Sequence, residues 1–168
     1  MEGLPADRAA RVGAAGQPGA RPGRRRHRGR ELSAPGSGRR VLLWRHGQTT
    51  WNVERRFQGQ TDIPLTESGV AQAQRAARLL AALEPDAIVS SDLARAANTA
   101  GELARLTGLS VTLDEGLRET YAGQWQGLTN REIEERYPAQ FAAWRRGEPV
   151  RRGDGELERE VADRAVPA

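Results

Sequence analysis

The chain has 168 residues, enough for one domain with an appendage, and no cysteine, which excludes a disulfide framework, a thiolate metal site and a catalytic thiol. Its 26 basic residues are all arginine and they are unevenly placed: residues 1–40 hold ten Arg against three acids, a balance of +7, whereas residues 41–168 hold sixteen against nineteen, a balance of −3. The basic excess belongs to the N-terminal stretch, and the remainder lacks the charge of a nucleic-acid-binding domain.

Residues 1–39 are Arg, Gly, Pro and Ala with few large apolar side chains. Such a composition cannot bury enough surface to offset chain entropy, so a disordered tail is expected. A polyanion-binding arm is its functional alternative, and binding lost on deleting residues 1–39 would reveal it. Arg24-Arg25-Arg26 is not followed by an apolar stretch, and no run approaches the roughly 18 residues of a membrane span. A cytoplasmic setting is the default expectation.

From Arg40 onward the pattern predicts a globular region, 40–168. Val41-Leu42-Leu43-Trp44 is a continuous apolar run, as expected of a strand covered on both faces. Thr66 caps a predicted helix in which Ala73, Ala77, Leu80 and Leu83 recur at helical spacing until Pro85. Ala87-Ile88-Val89 predicts a second strand. A helix then runs through Leu106 to a stop at Gly108. Leu109 to Leu113 predicts a third strand, which completes an α/β pattern with a largely parallel sheet. Thr129 caps a short helix through Tyr137, and Pro138 opens another over Ala139–Arg146. A Gly/Pro/charged loop over 147–156 and a helix over Leu157–Val166 follow, with no internal repeat.

Three of these elements carry chemistry to one rim. In open α/β sheets, ligands bind beyond the carboxyl ends of the strands. Arg45-His46-Gly47 follows the first predicted strand, Arg95 opens the helix after the second, and Glu119 follows the third. A neutral imidazole can accept a phosphoryl group, and guanidinium forks can hold its nonbridging oxygens. His46 is thus the candidate nucleophile and Arg45 and Arg95 the phosphate clamps. Glu119 is the candidate proton donor, kept neutral by partial burial or by phosphate charge. Gly47, lacking a Cβ, would let phosphate approach the backbone. Such a site needs neither metal nor other cofactor, and its partner is a small phosphorylated metabolite. Trp125 and Trp144 are candidates for its wall or for packing.

Four ordered motifs resemble the histidine phosphatase superfamily, the phosphoglycerate-mutase-like proteins. Arg45-His46-Gly47-Gln48-Thr49-Thr50-Trp51-Asn52 is similar to R-H-G-x-T-x-x-N. Gly59-Gln60-Thr61-Asp62 leading into Pro64-Leu65-Thr66-Glu67-Ser68-Gly69 resembles G-x-x-D-x-P-L-T-x-x-G. Ser91-Asp92-Leu93-Ala94-Arg95-Ala96 resembles S-D-L-x-R-A, and Leu117-Arg118-Glu119 with Gly123-Gln124-Trp125-Gln126-Gly127-Leu128-Thr129 resembles L-R-E…G-x-W-x-G-L-T. The resemblance implies a three-layer αβα sheet, a phosphohistidine at His46, phosphate binding by Arg45 and Arg95, and proton donation by Glu119. It also implies a substrate pocket lined by the loop Arg45 to Asn52 (Gly47, Gln48, Thr49, Thr50 and Trp51 included) and by Gln58 and Gly59. The family's mutases carry a bulkier segment and a longer insertion where this chain has Glu119-Thr120-Tyr121-Ala122-Gly123, so hydrolysis is expected over phosphoryl transfer between positions of a glycerate.

The chain departs from the family in one respect. The family's second catalytic histidine, near its C-terminus, has no counterpart: the other histidine here, His27, lies in the arginine-rich tail. The motif order implies a C-terminally truncated domain, with reduced activity, an unpaired sheet edge and a tendency to aggregate. A non-enzymatic remnant or a phosphate-binding pseudoenzyme is the competing expectation.

Overall fold

The computed structural model describes residues 40–166. The expected tail, 1–39, lies outside the described residues. The chain divides after Val41, and the unit that begins at Leu42 holds all the secondary structure described.

The elements follow in chain order as α1 (Thr50–Val53), α2 (Glu67–Ala81), β1 (Ile88–Ser90), α3 (Ala94–Thr107), β2 (Val111–Leu113), α4 (Asn130–Arg136), α5 (Pro138–Arg145) and α6 (Glu158–Ala165). Short 3-10 turns lie at Glu115–Leu117, Gly123–Trp125 and Arg152–Asp154. The strands β1 and β2 pair in parallel with Ile88 opposite Val111 and Ser90 opposite Leu113. As in any parallel pair, a helix makes the crossover, here α3.

Local signals place most boundaries. Thr66 caps α2, its side chain accepting from the Gly69 N–H, and Thr129 forms a capping box with Glu132 at the start of α4. Gly108, at φ 74°, closes α3 in the left-handed region. The helix expected to reach Pro85 stops at Ala81, because the residue before a proline is disfavoured in the α region; Glu84 instead takes φ 49°.

Two apolar clusters hold the unit. Ala77 of α2, Ile88 of β1, and Ala100 and Leu103 of α3 form one, with Trp44 packed against it. Ala122, Trp125, Ile133 and Phe141 form the other, walled by Phe57 and Trp144. Trp125 is fully buried, edge-on to Phe57 and Trp144 at ring-centroid distances of 5.5 and 5.8 Å.

The expected first strand is corrected. Among the described residues, Val41–Trp44 joins no ladder, Leu42 is exposed and Leu43 is 96% exposed. An apolar run becomes a strand only when a neighbour accepts its backbone hydrogen bonds, and β1 and β2 pair only with each other. Helices α2 and α3 pack together with β1 in one cluster, and Val89, which alternates away from it, is 52% exposed. The described residues thus build the α/β fold with helices on one face of the sheet.

Candidate active site

Four segments converge on one cavity of about 360 Å³, within the range of small-molecule sites. Arg45 and His46 come from the turn before α1, Gln58 and Gly59 from the loop after it, Arg95 from the first turn of α3, and Glu119 from the loop after β2.

Helix α3 organises the catalytic end. Its first N–H groups lack intrahelical acceptors, and Asp62 supplies one from another loop, its Oδ1 accepting from the Ala94 N–H at 2.8 Å. One turn on, the Thr99 hydroxyl donates to the Arg95 carbonyl at 2.8 Å and accepts from the Gly47 N–H at 3.1 Å. The same helix therefore fixes both Arg95 and the turn bearing His46. Arg95 is buried, and its guanidinium donates to the carbonyls of Thr61 and Gly59 at 2.9 and 2.7 Å. Those two bonds orient the fork while its remaining N–H groups are left for a ligand.

His46 is half-buried, with Nδ1 at 2.7 Å from the Gly47 carbonyl. A carbonyl can only accept, so Nδ1 carries the proton and Nε2 keeps its lone pair. Burial pushes the imidazole pKa below its ordinary value, against the Gly47 hydrogen bond; the positive charges of Arg95 and Arg45 lower it further. The neutral form required of a nucleophile is the favoured one.

Glu119 is exposed, where partial burial was expected. Its loop is nevertheless tied down. Arg118 pairs with Asp92 through both guanidinium edges, Nε to Oδ1 at 2.8 Å. Arg164 of α6 donates to the carbonyls of Gly116, Arg118 and Glu119 at 2.6, 2.7 and 3.1 Å and also pairs with Glu156. Nothing in the spacing marks Arg164, because its partners are backbone atoms some 46 residues away in sequence.

The loop 45–52 is mostly scaffold. Arg45, His46 and Asn52 line the cavity; Gly47, Gln48, Thr49, Thr50 and Trp51 do not. A Cβ on Gly47 would lie 2.3 Å from the Gly69 carbonyl oxygen, so this glycine serves a backbone crossing with α2 and not the approach of phosphate. Gln48 accepts from Thr66 through its carbonyl and Oε1, pinning that crossing. Buried Thr49 caps α1 in a capping box with Asn52 and donates to Gln58 Oε1 at 2.8 Å. Gln58 and Gly59 do line the cavity, as do residues the motifs do not single out: Arg55, Arg56, Asn130 and Arg152. Trp144 is in the wall, whereas Trp125 is core.

The sequence matches the family model described as "Histidine phosphatase superfamily (branch 1)" over residues 41–168. The chain belongs to the histidine phosphatase superfamily. Among its superfamily relatives, a glucosyl-3-phosphoglycerate phosphatase of Mycobacterium tuberculosis is 46% identical over 129 residues, 77% of this chain and 58% of the relative. A probable phosphoglycerate mutase, GpmB of Cronobacter sakazakii, is 41% identical over 74% of this chain and 58% of its own length. A solved mycobacterial glucosyl-3-phosphoglycerate phosphatase in complex with VO3 superposes with a TM-score of 0.69 at 47% identity, over 73% of this chain and 61% of that one. Bacillus stearothermophilus YhfR gives 0.65 at 39% identity, over 73% of this chain and 61% of that one. The chain thus spans about 58% of the length of the curated superfamily members it matches. No helix among the described residues is long and apolar enough to cross a membrane.

Proposed function

We infer that the cavity is the phosphoryl-acceptor site of a metal-independent phosphomonoester hydrolase acting on a small phosphorylated metabolite of the sugar-phosphate or phosphoglycerate type. The observation that carries this reading is the tautomer of His46: Nδ1 donates to Gly47, leaving the Nε2 lone pair available in a cavity also lined by Arg45, Arg95 and Glu119.

The reaction runs in two steps. Nε2 attacks phosphorus, a P–N bond forms, and the P–O bond to the leaving group breaks. Glu119 gives its proton to the departing alkoxide. Arg45 and Arg95 hold the nonbridging oxygens and stabilise the charge on the transferring group. Water, its proton taken by the Glu119 carboxylate, then attacks phosphorus and restores His46 and inorganic phosphate. The similarity to phosphatases, and a related mycobacterial enzyme solved with inorganic phosphate, support the class.

A second reading, phosphate binding without turnover, is favoured by the exposure of Glu119, which the described residues do not shield from water. One experiment separates the two. The full chain is mixed with p-nitrophenyl phosphate, quenched in base and analysed by mass spectrometry while nitrophenol is counted. Catalysis predicts phosphohistidine at His46 and many turnovers, both lost in His46→Asn. Stoichiometric phosphohistidine without turnover establishes the second reading. Absence of any adduct or release, with no affinity for phosphate, overturns both.

A further inference from the structure

The cavity holds more positive charge than one phosphoryl group calls for. A phosphomonoester brings roughly two negative charges. Arg45 and Arg95, the arginines whose charges act on His46, match them. Three further arginines line the same cavity: Arg55, Arg56 and Arg152.

Arg56 is already engaged, by Glu54, Glu132 and the Gly127 carbonyl. The other two are not. Arg55 makes no ion pair and no side-chain hydrogen bond among the described residues. Arg152 has only Glu158, at 3.4 Å, whose side chain is 88% exposed; such a pair contributes little in water. Both are delivered by left-handed backbone. Arg55 itself sits at φ 57°, and Arg152 directly precedes Gly153 and Asp154 at φ 58° and 63°. Residues with a Cβ adopt that region only when their surroundings impose it. At Gly153 the imposition is visible, since a Cβ there would lie 2.4 Å from the Trp125 backbone nitrogen. Two weakly engaged guanidinium groups are therefore preset toward the cavity, which also has the Trp144 ring and Asn130 in its wall.

We propose that Arg55 and Arg152 bind a second anionic group, a carboxylate or a second phosphate, carried by the leaving group of the substrate. The proposal rests on the reading of the Arg45–His46–Arg95 end as the phosphoryl site. The site then selects phosphomonoesters with two anionic ends over those with one, because a charge-assisted fork is worth far more than a hydroxyl contact.

The test is calorimetric titration of the full chain with inorganic phosphate, glycerol phosphate, 3-phosphoglycerate and glycerol bisphosphate. Either doubly anionic ligand is expected to bind at least about tenfold more tightly than glycerol phosphate, which lacks the second anion. The larger of the two gains tells a carboxylate from a phosphate subsite. In Arg55→Gln with Arg152→Gln the ratio should collapse toward one, and Arg152→Lys, which keeps charge without the fork, should fall between. Equal binding of all three esters by the unsubstituted chain, or a preference that survives in the double variant, overturns the proposal. Inorganic phosphate separates this failure from that of the catalytic reading. If phosphate binds but the preference is absent, only the second-anion site falls. If phosphate does not bind while an Arg55-dependent preference persists, the catalytic reading falls and the anion site stands; no binding of any ligand ends both.

Discussion

The protonation of His46 sets the conditions under which this site can work. Burial and two nearby guanidinium groups hold the imidazole pKa below its ordinary 6.5. The neutral nucleophile should therefore persist at pH values where a free histidine is mostly charged. The sign for stability follows: as pH falls below 6.5, the unfolded chain takes up a proton that folded His46 resists, so stability declines from there through the lowered folded value. In a His27→Ala variant a single imidazole remains, and its NMR titration should have a midpoint below 6.5, with urea stability falling over the same window. A midpoint at or above 6.5 would show that the half-buried, arginine-flanked ring is not what the geometry describes. Residue chemistry was the most legible scale. Arg45, His46, Arg95 and Glu119 were identifiable because few side chains suit phosphoryl transfer and each follows a strand or strand-like run. Arg55, Arg152 and Arg164 were not, because their roles come from strained turns and from carbonyls distant in sequence.

At the level of elements, the turn bearing His46 is held by a backbone crossing more than by side chains. Gly47 and Gly69 meet where this turn passes the first turn of α2: a Cβ on Gly47 would lie 2.3 Å from the Gly69 oxygen, and one on Gly69 would lie 2.1 Å from the Gln48 oxygen. Neither obstacle is a flexible side chain, so the backbones must part. Gly47→Ala should cost about 1–3 kcal/mol of stability, the usual penalty for overpacking, as measured by urea denaturation. A variant of unchanged stability that lost affinity for inorganic phosphate would instead restore the expectation that this glycine exists to admit the ligand. Helix caps were readable because Thr66, Thr129 and Gly108 act on their own neighbours. The crossing was not, since a glycine in a motif looks the same whether a phosphate or another backbone fills the space beside it.

For the whole unit, the unresolved tension lies between an ordered site and an uncovered apolar surface. Helices α2 and α3 share one cluster with the sheet, while Val89 turns away from it and Leu43 is 96% exposed. The apolar run at 41–44 shows why sequence pattern misleads at this scale: hydrophobicity announces that a segment wants covering, and the covering element must come from elsewhere. An extended apolar stretch without ladder partners offers free N–H and C=O groups beside exposed side chains, the combination that templates association. The protein should therefore bind a hydrophobic dye and associate as concentration rises, as read by light scattering. Leu43→Gln with Val89→Thr removes apolar surface that touches little, so stability should shift by no more than about 0.5 kcal/mol per site while dye binding and scattering fall. If scattering is unchanged by the pair while stability drops by several kcal/mol, these side chains are packed in solution, and the exposed face does not exist in the form described.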